Sequence, residues 1–213
     1  MKQFAVAIIL IISFFSCSSS QKTTSSTKYF GIDGNEISES KFKRERTRNR
    51  KYIGTYADSL DQKRIALREE TGRIDNRNHL DSILEKQTNI KIDKNKSIVI
   101  VFYPGKDQCN SSGSATKASL ALWFNELENR LSEISKVKPI YIYKSKIGLE
   151  RYNGVLTWHK DPNRIIEKSF FKFHYPCSSF VVISKTGEYI SYFGEFGKDY
   201  LWKAAEILEK TNN

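Results

Sequence analysis

Ser97-Ile98-Val99-Ile100-Val101-Phe102-Tyr103-Pro104-Gly105-Lys106-Asp107-Gln108-Cys109 is the stretch from which the rest of the chain is read. Its first seven residues are apolar, β-branched or aromatic but for Ser97, and Pro104-Gly105 stops them abruptly. A short, continuous apolar run closed by turn residues predicts a strand buried on both faces. The polar loop that follows carries Cys109, so this strand delivers a cysteine to one end of a sheet.

Outward from that strand, the C-terminal half alternates in type. Gly113–Ile134 predicts a long helix, because Leu120, Phe124, Leu127, Leu131 and Ile134 recur at four- and three-residue steps and Trp123 widens the stripe. Pro139–Tyr143 reads as a second strand. Asp161-Pro162 is a helix start, with Asp as N-cap and Pro at the first helical position, opening Asn163–Phe171. Ser179–Ser184 and Glu188–Phe193 flank Lys185-Thr186-Gly187, which predicts an antiparallel hairpin. Tyr200–Lys210 closes the chain as a helix with Leu201, Ala204, Ala205 and Leu208 inward. The expectation is an α/β domain over 96–213, with a mixed central sheet and helices on both faces.

Residues 28–95 read as an N-terminal extension packed against that domain. Tyr29–Ile32 predicts a strand running into a turn at Asp33–Glu36, and Leu60–Arg73 and Leu80–Lys86 predict short helices. Between them lies the basic run Lys41–Lys51. With a net charge of +11 the chain raises the question of nucleic acid or an anionic surface as partner. The run reads as a solvated helix face or loop that also meets anionic lipid headgroups, rather than as a nucleic-acid patch.

The first residues point to export. Met1-Lys2 is a basic start, Phe4–Phe15 is almost wholly apolar, and Ser16-Cys17 follows. A dozen apolar residues suit a signal-peptide core and fall short of a membrane span. The stretch ending at Cys17 resembles a bacterial lipoprotein signal. That resemblance implies cleavage after residue 16, lipid on Cys17, and residence on a membrane of the cell envelope, facing the periplasm. Phe14 and Phe15 depart from the usual pattern before the cysteine, and an ordinary secretory signal or a buried helix is the alternative. Residues 17–27, nearly all Ser, Thr, Gln and Lys, read as a flexible tether. Cleavage would remove Lys2 and lower the net charge by one.

The order strand, helix, strand, helix, strand, hairpin strand, helix resembles the thioredoxin fold over about residues 90–210. Phe102-Tyr103-Pro104-Gly105 leading to Cys109, and Cys177-Ser178-Ser179-Phe180 leading into the third strand, carry the resemblance. The Phe-Tyr-Pro opening is also similar to peroxiredoxins. The family holds catalytic cysteines in the first loop and a cis-proline in the second, opposite them. This chain departs from both patterns. Cys109-Asn110-Ser111-Ser112 puts Ser112 where Cys-x-x-Cys has its second thiol. Lys106 stands where peroxiredoxins place Thr or Ser. Cys177 sits at the proline position, with Pro176 one residue earlier.

The resemblance implies that Cys109 and Cys177 face each other and form a reversible or structural disulfide, in a compartment that permits one. Cys109 would attack a protein thiol or disulfide substrate and Cys177 would resolve. From the sequence alone, Cys109 falls near the start of the long helix, where unpaired N–H groups favour a thiolate, with Lys106 close by to assist. Two isolated structural cysteines are the plainer alternative. His174, three residues before Cys177, reads as a polar loop residue, and His79 and His159 as surface residues. No cofactor or metal is expected: a His174–Cys109 site like that of copper-handling thioredoxin relatives would need a cysteine pair in one loop, which this chain lacks, and no Gly-rich phosphate loop stands out. A non-catalytic binding or assembly lipoprotein that keeps the fold is the competing reading.

Overall fold

The computed structural model describes residues 27–56, 61–111 and 113–211. The leader 1–16, Cys17 with nearly all of the tether, Leu60 and Ser112 lie outside the described residues. In chain order the elements are β1 (Lys28–Phe30), β2 (Glu36–Ile37), α1 (Glu39–Arg48), β3 (Tyr52–Tyr56), β4 (Gln62–Leu67), β5 (Glu69–Arg73) and α2 (Arg77–Thr88). Then come β6 (Ile98–Tyr103), α3 (Gln108–Ser111), α4 (Lys117–Ser135), β7 (Ile140–Tyr143), β8 (Trp158–Lys160) and α5 (Ile165–Phe170). The hairpin β9 (Ser179–Ile183) and β10 (Glu188–Tyr192) precedes α6 (Lys198–Thr211). Among these described helices none is long and apolar enough to cross a membrane.

The main sheet has six strands in the order β5-β10-β9-β6-β7-β8. The run from Ile98 to Tyr103 is buried at every position, as its composition predicts. It lies between β7, parallel to it, and β9, antiparallel. The pleat sends alternate residues to opposite faces. Ile98, Ile100 and Phe102 meet Leu80 and Leu84 of α2 and Ile166 and Phe170 of α5. Val99 and Val101 meet Leu127 and Leu131 of α4 and Leu201 and Leu208 of α6. The architecture is therefore α/β, a mixed sheet with a helical layer on each face.

A second, four-stranded sheet, β2-β1-β4-β3, is built from residues 28–67. Ile53 and Ala66 carry its inner face into the same core that holds Tyr175 and Phe193. β5 and α2 precede residue 96 in the chain, yet β5 pairs with β10 as an edge strand of the main sheet and α2 covers it. The main sheet thus draws on chain from both sides of the boundary expected at residue 96.

Three expectations are corrected. Leu60–Arg73 is not helical in its described part: β4 has a partner on each side, β1 and β3, and β5 pairs along β10. Inter-strand bonding on both flanks outweighs the helix preference of the Gln, Lys, Arg and Glu in this stretch. The long helix begins at Lys117, where the Thr116 side chain accepts from the Ser119 N–H, and not at Gly113. The helix opened by Asp161 is interrupted by a turn of 3₁₀ helix over Pro162–Arg164, with left-handed backbone at Asn163 and Arg164. Asp161 still caps, but caps α5, its two carboxylate oxygens accepting from the N–H groups of Ile166 at 3.0 Å and Glu167 at 2.8 Å. Trp158–Lys160 adds a strand that the sequence did not announce, and His159 on it is half-buried, its pKa lowered by burial.

Candidate functional site

Pro104 and Gly105 end β6 at the sheet edge, both buried, and Gly105 takes a φ of +123° that few other residues adopt. Asp107 then opens α3. Its N–H donates to Asn110 Oδ1 and its Oδ1 accepts from the Asn110 N–H, each at 2.9 Å. This reciprocal pair is a capping box on one helical turn. Asn110 also donates from Nδ2 to the Gly105 carbonyl at 2.8 Å, and Arg151 Nη1 donates to the Asn110 carbonyl at 3.2 Å. The turn that carries Cys109 is thereby fixed from both sides.

Cys109 is disulfide-bonded to Cys177, with 5.3 Å between the Cα atoms and a sequence separation of 68. Both residues are half-buried. Cys177 lies in the loop before β9 with a left-handed φ of +65°, sparsely populated for a residue with a side chain. Its N–H donates to Asp107 Oδ2 at 2.9 Å, so one carboxylate anchors both cysteine loops. His174 Nε2 lies 3.4 Å from the same oxygen. Burial pushes the Asp107 carboxyl up, but His174 and the N–H groups of Asn110 and Cys177 outweigh it and hold it below the ordinary carboxylate value.

His174 is in turn bound to the small sheet. Thr55 Oγ1 donates to its carbonyl, Tyr56 forms a bridge with it, and the Tyr56 ring meets the imidazole edge-on at 5.7 Å. Two clefts flank the disulfide. One, of about 360 Å³, reaches Cys109 between α1 and the small sheet and is walled by Lys43, Arg46, Lys63 and Pro176. The other, of about 450 Å³, reaches Cys177 and is walled by Trp123, Phe124, Tyr152 and Phe196.

Several expected site residues take other places. Cys109 sits inside a separate four-residue helix and not at the start of the long one, which begins eight residues later. Lys106 is exposed, and the charged neighbour of the cysteine loops is the acid Asp107. No peptide bond among the described residues is cis, so Pro176 is trans, half-buried against the first cleft. Phe171 and Tyr175 belong to the core, stacked on Phe102 and Phe193. Asp107 was legible as the first residue of Asp-x-x-Asn, a helix-start pattern two residues before the cysteine. Asp107, Cys109 and Cys177 bring an oxygen and two sulfurs within 4.8 Å of one another. Because the thiolate and not the disulfide is a metal ligand, this set has ligand character only after reduction.

Comparison of the chain with protein-family models, with curated proteins and with solved structures finds no match among any of them. The class established is that of a mixed α/β protein whose two loops at one sheet edge are joined by a disulfide.

Proposed function

We propose that the chain is a thioredoxin-like thiol–disulfide exchange protein, held on a membrane of the bacterial cell envelope by lipid on Cys17. The observation that carries this reading is the partly accessible Cys109–Cys177 disulfide, lying between two clefts on the loops where the resemblance puts reactive cysteines. In the reduced state Cys109, as thiolate, attacks a substrate disulfide and releases one substrate thiolate, leaving a mixed disulfide. Cys177, as thiolate, then attacks Cys109 Sγ and releases the second substrate thiolate. The substrate gains two electrons and two protons, and a dithiol reductant returns them to the protein by the reverse steps. Asp107 keeps the Cys177 loop against the Cys109 turn through this cycle.

Turnover of a peptide disulfide by the purified chain, with a dithiol reductant in excess, tests the proposal. The expected result is activity above the reductant's own background that Cys109→Ser abolishes, while pre-reduced Cys177→Ser, freed of reductant before it meets the peptide, stops at the mixed disulfide. Equal background with the parent chain and with Cys109→Ser would overturn it. The disulfide would then be a staple between two loops in a non-catalytic binding or assembly protein. The missing second cysteine in the Cys109 turn is what favours that alternative.

A further inference from the structure

The cleft on the Cys109 side has a wall of unusual charge. From residue 39 to residue 51 the chain carries seven lysines and arginines and two glutamates. Both glutamates are already engaged on α1, Glu39 with Lys43 at 2.6 Å and Glu45 with Lys41 at 3.8 Å. The helix thus presents its arginines without compensation from its own carboxylates. Arg46 is directed by packing. Gly54 has no side chain, and a Cβ there would fall 3.0 Å from Arg46 Cδ and 3.0 Å from Phe42 Cζ. The bare backbone lets the arginine stem lie flat, with its guanidinium 6.0 Å from the Phe42 ring centre. From there Arg46 borders both the 360 Å³ cleft and a neighbouring one of about 280 Å³, and Cys109 lines both. Lys63 of β4 also lines the first cleft.

We infer that this cleft selects an acidic, cysteine-bearing peptide segment as the exchange partner, with Arg46 and Lys63 receiving carboxylates that flank the partner's cysteine. The inference rests on the exchange reading above and names its substrate class. The cleft also holds Glu39, paired with Lys43, and Asp107, which accepts from the Asn110 and Cys177 N–H groups, so Arg46 and Lys63 bias it toward an oppositely charged partner. The cysteine-side position matters. Cations that line a cleft beside a sulfur suit a chain that enters it.

The test uses the oxidised chain and three blocked cysteine peptides of equal length, with glutamates, lysines or serines beside the cysteine. Opening of the Cys109–Cys177 disulfide is followed by acid quench and mass, and rates are expressed per thiolate, because neighbouring charge shifts thiol ionisation. At low ionic strength the acidic peptide is expected to react about tenfold faster than the basic one, and the gap to shrink severalfold in half-molar salt. Arg46→Gln with Lys63→Gln removes most of that preference, the acidic peptide losing far more rate than the serine peptide. Lys91→Gln with Lys203→Gln removes the same charge from exposed sites elsewhere and leaves the preference intact.

Equal rates for the three peptides, or equal losses in the two double variants, would overturn the inference while the exchange reading stands. If neither the peptides nor dithiothreitol open the disulfide in the folded chain, the exchange reading itself fails. Phosphatidylglycerol vesicles supply the remaining arm. Vesicle binding that depends on Arg46 and Lys63, without any preference for the acidic peptide, would overturn the inference in favour of a lipid headgroup site.

Discussion

Asp107 is the residue on which the two cysteine loops depend. It accepts from the Cys177 N–H and the Asn110 N–H and lies beside His174. Asp107→Ala leaves these donors without their acceptor, and the oxidised chain should lose about 1–3 kcal/mol in urea unfolding. It should also present a disulfide that dithiothreitol opens faster. The same carboxyl predicts a pH dependence. Its folded pKa lies below the ordinary value, so its contribution is complete above the unfolded pKa of about 3.9 and is lost as pH falls through the folded one. Stability curves of the parent and of Asp107→Asn should therefore converge in acid and separate above about pH 4. An acid limb identical in both would exclude this role.

Elements show where sequence periodicity carries information and where it does not. The all-apolar run of β6 and the four- and three-residue steps in α4 were legible because burial on both faces, or along one stripe, leaves no other pattern. β4 and β5 were not legible. Gln62-Lys63-Arg64 and Glu69-Glu70-Thr71 hold no apolar alternation, and they are strands only because β1, β3 and β10 supply partners from distant chain. The Cys109–Cys177 pairing was legible only through the resemblance to thioredoxin-like loops, whereas the Asp107 anchor needed the helix-start pattern as well as the topology. At α2, Arg77 donates to Asp81 at 2.6 Å, to the Ser184 carbonyl at the β9–β10 turn, and to the Lys96 carbonyl at 3.2 Å just before β6. Arg77→Leu strands the buried Asp81 and should cost about 3–5 kcal/mol, read as a lower urea midpoint. Gly72 of β5 lies under the Tyr189 ring, and a Cβ there would fall 2.6 Å from its hydroxyl. Gly72→Val should displace that ring and lower stability by about 1–3 kcal/mol.

For the whole molecule, the disulfide closes a loop that contains α4, β7, β8 and α5. Loop-closure entropy for 68 residues amounts to about 4 kcal/mol at room temperature. The double variant Cys109→Ser, Cys177→Ser should therefore unfold at lower urea by roughly 2–4 kcal/mol, and an unchanged midpoint would show that the bond constrains nothing. The proposed anchor is checked separately: fatty-acid labelling of the expressed chain should require Cys17 and vanish in Cys17→Ala. The same bond also sets how far the protein can be drawn out. Under a pull applied at the chain's two ends, the residues between the joined cysteines carry no load. Oxidised protein should then give up roughly 230 Å less of extended length than reduced protein. In an optical trap the redox state of this one bond would be read directly as a ruler measurement.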